Sequence, residues 1–292
     1  MEALQDFWDA YQSTLGFVVV NAFFALSAYA VLSTGVLSFA TVAYAAFGGF
    51  VGAQLVLQTG IDPLLALPVA GLAGALLAYA VGLLFLRLEG HWMALASLAL
   101  VLITRVIVLN ASVLTGGVNG LSVPYEISLG ALVLLLLIGM FAFHRLSVSW
   151  YGIASRAVRE DPAVAASLGM APRRVQTIAF VISGAVGGIG GMLLALTLQF
   201  LSPDTFFINI AFTMIAAVVL GGSYHWVGAV IGAAVFTALP VVMQALVPAI
   251  QDVANGAALL LIMIFVPRGL FDPRAIALRR TPAPKAEGRS HA

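Results

Sequence analysis

The stretch RLSVSWYGIASRAVREDPAVAASLGMAPRRVQTIAFVISGAVGGIGG, Arg145 to Gly191, is a long polar insert in a chain that is otherwise almost wholly apolar. It carries five arginines and then runs without a break into a glycine-rich apolar segment. Asp161 followed by Pro162 reads as a helix start: the aspartate side chain caps free backbone N–H groups, and proline suits the first helical turn. Gly169 is a natural stop, because glycine takes the left-handed conformation that closes a helix. The helix between them has about two turns, too short to be stable alone in water. Val164 and Leu168 are four apart and share a face, with Ala165 beside them. An apolar face on a short helix in a polar loop has two uses. It leans on the span ends of its own chain, or it enters a groove on a partner protein.

Outside this insert the composition sets firm bounds. The 292 residues are 62% hydrophobic and 9% charged, with a mean hydropathy of +1.09. A soluble domain carries more charge than that, so the chain reads as a polytopic membrane protein. A formal net charge of +1 offers no footing for nucleic acid. With no cysteine there is no disulfide framework, thiol chemistry or thiolate metal site. The opening MEALQDFWDAYQST holds Glu2, Asp6 and Asp9 but no Lys or Arg, so it lacks the basic region of a cleavable signal peptide.

Segments of roughly 20 apolar residues are needed to cross a bilayer. Spans are expected near 15–34, 36–58, 63–87, 91–110, 127–145, 177–200, 206–221, 226–247 and 251–267. Turn signals separate them, among them Ser33-Thr34-Gly35, Asp62-Pro63, Glu89-Gly90, Ser202-Pro203-Asp204 and Gly221-Gly222-Ser223. The seventh is short enough to be a re-entrant half-helix instead. Lys and Arg are retained in short cytoplasmic loops. Arg87, the five arginines of the insert, and Arg268, Arg274, Arg279, Arg280, Lys285 and Arg289 make up twelve of the thirteen basic residues. All twelve fall on one side if the N-terminus is outside and nine segments cross. The expected fold is therefore all-α and polytopic, with about nine transmembrane helices (8–10), N-out and C-in. Residues 1–270 form the membrane domain, 146–176 its cytoplasmic loop, and 271–292 a disordered basic cytoplasmic tail able to touch anionic lipid.

Two loops face outward in this scheme. The first, ASVLTGGVNGLSVPYE, contains Thr115, Gly116, Gly117, Asn119 and Gly120 and reads as a structured turn rather than a linker. The second lies around Leu201–Asp204. Arg105 is the one basic residue inside a span. It stands about 21 Å along the fourth segment at about 1.5 Å per residue, nearer the outer face. Either it snorkels to the headgroups, or it faces the bundle and fixes the outer end of a pathway, with Glu126 as the candidate partner.

Small residues recur at spacing four: Gly48 and Gly52, Gly184 and Gly188, Gly187 and Gly191, Gly228 and Gly232. Such steps let helix backbones approach closely in lipid, within a bundle or across a subunit interface. The run Gly187–Gly191 has neither a preceding strand nor the Lys-Ser/Thr of a phosphate loop, so it is not a nucleotide site. No His-Glu-x-x-His, Gly-x-Ser-x-Gly or intramembrane carboxylate cluster appears, and His91, His144 and His225 sit at span ends. An intramembrane enzyme is disfavoured accordingly.

Six blocks in order give the chain a family resemblance. They are GVLSFATVAYAAFGGFVGA, EGHWMALASLALVLITRV, TGGVNGLSVP, ASRAVREDPAVAASLGMAPRRVQTIAFVISGAVGGIGGMLLA, LGGSYHWVGAVIGAAVF and LIMIFVPRGLF. Over nearly its whole length the chain resembles the permease subunits of branched-chain amino-acid ABC importers, of the LivM type. The resemblance implies that Asp161, Pro162, Val164, Ala165, Leu168 and Gly169 form a coupling helix that docks into an ATPase subunit. General ABC importers carry Glu-Ala-Ala-x-x-x-Gly there. Aligned on Gly169, this chain has Ala163, Val164 and Ala165, so the glutamate is missing and the apolar face remains. The resemblance also implies a second homologous permease, two cytoplasmic ATPases that bind ATP and Mg, and an external solute-binding protein. On this reading the chain binds no cofactor, is not itself an enzyme, and resides in the cytoplasmic (inner) membrane of a prokaryote. Its cargo would be branched-chain or related small amino acids or amides. The competing class is a self-sufficient secondary transporter or channel, which normally buries ionisable residues in its spans for ion coupling. Only Arg105 qualifies.

Overall fold

A computed structural model describes residues 2–88 and 90–246 and, beyond them, residues 256, 260, 264, 269 and 270. The elements run α1 (Glu2–Leu32), α2 (Thr41–Thr59), α3 (Pro63–Phe85), α4 (His91–Asn110), α5 (Ser112–Thr115), β1 (Leu121–Ser122), α6 (Leu129–Val148), α7 (Trp150–Glu160), α8 (Pro162–Ser167), α9 (Pro172–Leu198), β2 (Phe200–Leu201), α10 (Ile208–Gly221) and α11 (Trp226–Leu246). Among the described residues, six stretches are long and apolar enough to cross a bilayer: Gln12–Leu32 of α1, and α2, α3, α4, α6 and α9. Helices α10 and α11 meet that test only as a pair, bent by 119° at the break between them. The chain is thus a mostly helical, polytopic membrane protein. The ninth expected span, 251–267, lies outside the described residues except at three isolated positions, and the tail 271–292 lies wholly outside them.

Helix α9 is the centre of the bundle, packed against α1, α2 and α3. Its glycines face three ways. A Cβ at Gly184 would overlap Ala78 and the Gly74 carbonyl of α3, and one at Gly188 would overlap the Ala70 carbonyl. Gly187 looks toward Ser27 of α1 and Thr41 of α2, while a Cβ at Gly191 would overlap the Ala45 carbonyl. Where backbones touch, dispersion attraction replaces the hydrophobic drive that lipid cannot supply. Buried Ser27 adds a polar tie, its Oγ donating to the Ser183 carbonyl at 2.7 Å. Of the two uses open to the glycine pairs, these serve packing within the chain.

Several helical boundaries differ from those expected, α1 beginning at Glu2 and α6 running to Val148 among them. Residues 36–40 continue no helix. The chain turns at Gly35 (φ +81°) and runs irregularly until α2 begins at Thr41. This irregular backbone is bonded inside the protein: Phe39 N–H donates to Ser97 Oγ at 2.9 Å and Ala40 N–H to Ser38 Oγ at 3.3 Å. A run of apolar residues hides such a break, because burial constrains hydropathy and not backbone shape. The insert holds a second helix, α7, besides the expected short one, and α9 begins at Pro172, five residues before the expected 177.

The connections gather at two ends. At one end Gly35 lies on the backbone of Arg159. A cleft of about 480 Å³ there joins Gly35, Leu86, Leu88, Gly90, His91 and Arg173, and Leu270 N–H donates to the Leu220 carbonyl at 2.9 Å. Arg87, Arg145, Arg156, Arg159, Arg173 and Arg174 all belong to this end. At the other, β1 pairs antiparallel with β2 in the register Leu121↔Leu201 and Ser122↔Phe200, stitching the two expected outer loops together.

Candidate functional site

The coupling-helix candidate forms as its sequence dictates. Asp161 is extended (φ −155°, ψ 110°), and its Oδ1 accepts from Ala163 N–H at 2.7 Å and Val164 N–H at 3.1 Å. That cap is worth about 1 kcal/mol. Pro162 occupies the first turn, where its missing N–H costs nothing. Gly169 takes φ +83°, and Met170 N–H reaches back to the Ala165 carbonyl at 3.1 Å, closing the helix. One member of the apolar face leans on its own chain and two do not. Ala165 is 1% exposed and packs with Ala154, Val158 and Val175 of the same chain. Val164 and Leu168 are 54% and 69% exposed.

Helix α7 is the support on which α8 leans, and the sequence reading passed over it. Its buried side is made of small residues, Gly152, Ala154, Ser155 and Val158, while Trp150 and Ile153 are exposed. The turn from α6 is so tight that a Cβ at Gly152 would overlap the Ser147 carbonyl. Spacings of three and four between Tyr151, Ala154 and Val158 were the available signal. Near the end of α7, Arg159 reaches the α10–α11 turn. Its Nη1 donates to the Ser223 carbonyl and its Nη2 to Ser223 Oγ at 2.9 Å, while the guanidinium lies 4.3 Å from the Tyr224 ring centre. His225 beside it accepts from Val227 N–H on Nδ1 at 3.2 Å, capping α11. Burial, then the charges of Arg156 and His144, hold its pKa below the ordinary histidine value.

At the opposite end Arg105 is paired. Its Nη2 and Nε donate to Asp204 Oδ1 at 2.7 and 3.2 Å, and the guanidinium sits 4.6 Å from the Phe207 ring centre. The carboxylate comes from the second outer loop, 99 residues away in sequence. Glu126 is not the partner; it accepts instead from Gln199 Nε2 at 3.1 Å. The glycines of the first outer loop serve its turns. Gly116, Gly117 and Gly120 have φ of +74°, +58° and +70°, and a Cβ at Gly120 would stand 2.6 Å from the Leu201 carbonyl. Thr115 Oγ1 lies 2.6 Å from the Val108 carbonyl and accepts from Gly117 N–H at 3.2 Å. Asn119 closes the short 3-10 turn Gly117–Asn119. The structure does not bring these residues together with α8, which lies at the other end.

Comparison with known proteins matches the sequence to a family. The chain is 30% identical over 263 residues to the high-affinity branched-chain amino acid transport system permease protein LivM of Escherichia coli (strain K12), covering 77% of this chain and 61% of that protein. LivM of Salmonella typhimurium (strain LT2) matches to the same extent. The probable branched-chain amino acid transport permease protein LivH of Methanocaldococcus jannaschii is 32% identical over 226 residues, 69% of each chain. The chain therefore spans 61% of the length of the two LivM proteins. No solved structure matches it. Residues 11–267 fit the family profile described as branched-chain amino acid transport system / permease component, and to that family of permeases the chain belongs.

Proposed function

We propose that this chain is the transmembrane permease subunit of an ATP-binding-cassette importer. It forms half of a translocation pathway with a second, homologous permease. Two cytoplasmic ATPases bind ATP and Mg and do the hydrolysis, and an external solute-binding protein delivers branched-chain or related small amino acids or amides. Nine segments cross the cytoplasmic membrane of a prokaryote, N-out and C-in. The arginine-rich end, the coupling loop 146–176 and the tail after residue 270 face the cytoplasm, and α10 and α11 each cross. Thr115, Gly116, Gly117, Asn119 and Gly120 shape the outer surface offered to the binding protein.

One observation carries the reading. A short helix capped at both ends and anchored through Ala165 holds Val164 and Leu168 out into solvent. Rigid presentation of two exposed apolar side chains suits insertion into a groove on a partner. Replacing Leu168 with Asp puts a charge against that groove, costing several kcal/mol of docking. The prediction is that permease pairs still insert and assemble, while ATPase subunits no longer co-purify and substrate-stimulated hydrolysis is lost. Normal hydrolysis and uptake in Leu168→Asp, with Val164→Asp equally silent, would mean that α8 has no docking role.

A further inference from the structure

We propose that Arg159 is a positioning residue for transport: it carries movement of the α7–α8 arm to the α10–α11 turn. The inference rests on the coupling reading above and adds a route into the membrane that the reading lacks. Helix α7 packs on α6, α8 and α9. Its link to the bent pair is made by the Arg159 side chain, through two hydrogen bonds to one residue and a ring beneath the guanidinium. The fork needs a planar group with parallel donors, and the stacking needs a delocalised cation, so lysine reproduces neither fully. The contact is also backed from behind. Gly35, at φ +81°, packs close on the base of this side chain: a Cβ there would stand 3.3 and 3.6 Å from the Arg159 Cα and Cγ.

The grip falls where a small displacement is transmitted. Gly222 (φ +111°) forms the bend, and Gly221, Gly228 and Gly232 bring the backbones of α10 and α11 into contact. The pair therefore moves as one body when its turn is pushed. Farther along α11, Asn21 Nδ2 of α1 donates to Thr237 Oγ1 at 2.9 Å, a second tie about which that body can tilt. Charged and titratable neighbours of the grip include Tyr29, Arg156, Glu160, Tyr224 and His225, with His144 facing His225. The bonds Arg159 makes to Ser223 are to neutral oxygens, so the grip itself asks for no change of protonation there.

The chain has no cysteine, so site-directed spin labels report cleanly. Labels at Ser167 on α8, Asn209 on α10 and Leu72 on α3 give two distances in the full complex, each measured from Leu72. Both are compared before and after the ATPases are trapped with ATP and vanadate. Both distances should change in the otherwise native chain. In Arg159→Met, which keeps the aliphatic stem on Gly35, the Ser167 displacement should persist while that of Asn209 shrinks at least twofold; Arg159→Lys should fall between. Undiminished movement of Asn209 in Arg159→Met, or parallel loss at both labels, would overturn the proposal. No movement of Ser167 even with Arg159 in place would bring down the coupling reading itself, and the proposal with it.

Discussion

Replacing Arg105 with leucine should weaken the outer end of the bundle modestly and leave transport working. The contacts set the magnitude. Both guanidinium donors converge on the single oxygen Asp204 Oδ1, at 2.7 and 3.2 Å, and the two side chains are 38% and 74% exposed. Exposed ion pairs contribute about 0.2–1 kcal/mol. Stacking on Phe207 adds about 0.5–1 kcal/mol at an exposed position. The sum is about 1–2 kcal/mol, and the surviving Asp204 stays hydrated, so no stranded buried charge enlarges it. Leucine on this face of α4 also avoids the cost of holding a cation near hydrocarbon. A double-mutant cycle isolates the pair: Arg105→Leu, Asp204→Asn and both together, followed by thermal unfolding of the purified complex and by uptake. The coupling energy should be about 0.5–1 kcal/mol. A coupling of zero would show that the ion pair contributes nothing. Abolished uptake in Arg105→Leu beside normal uptake in Asp204→Asn would refute the reasoning differently: Arg105 would then be acting on the cargo, and the small figure would be wrong in kind.

The orientation is tested with cysteines placed at Ser122 in β1 and Ser167 in α8. An impermeant thiol reagent applied to intact cells should label the first and spare the second, and the opposite pattern inverts the topology. Gly184→Val drives a side chain into Ala78 and the Gly74 carbonyl. Overpacking of a rigid contact costs about 1–3 kcal/mol or more, so the monodisperse fraction in detergent should fall sharply, whereas Gly130→Ala, with open space around it, should behave normally. His225 caps α11 through a neutral Nδ1 and has its pKa lowered by burial and by Arg156. A histidine held neutral stabilises above its unfolded pKa of about 6.5, and that contribution fades as pH falls toward the lower folded value. The melting temperature should therefore drop between pH 7.5 and 5 by more than in His225→Asn, whose side chain caps without titrating. Equal drops would remove His225 as a source of the pH dependence.

What could be read before the structure was local or compositional. Asp161, Pro162 and Gly169 lie within nine positions and act on their own backbone, so the limits of α8 follow from residue chemistry alone. The spacing of Gly184 and Gly188 announces close packing, but which helix fills the groove depends on topology, and only the structure supplies α3. Arg105 shows the same divide: that it either snorkels or takes a partner follows from its depth, and nothing in the local sequence points 99 residues ahead to Asp204 instead of to Glu126. Helix α7 escaped for a subtler reason. It buries Gly152, Ala154, Ser155 and Val158 and leaves Trp150 and Ile153 outside, so large apolar residues stand on both faces and blur the buried one. The irregular run 36–40 was hidden because a buried break in a helix is as apolar as the helix.

The centrality of α9 sets an order of events at the ribosome. Helix α3 ends at Phe85, but the glycine ridge of α9 is not complete until Leu198. At about 5–20 residues per second, the intervening synthesis takes on the order of 10 s. Throughout that interval α2 and α3 sit in the membrane with the groove around Gly48, Gly52 and Gly74 filled by acyl chains instead of protein. The strand pair is delayed as well, since β1 waits for β2. Biogenesis is therefore a late-closing process: the first half of the chain is inserted early, becomes a folded core only when α9 displaces lipid from the groove, and is most exposed to membrane proteases while it waits.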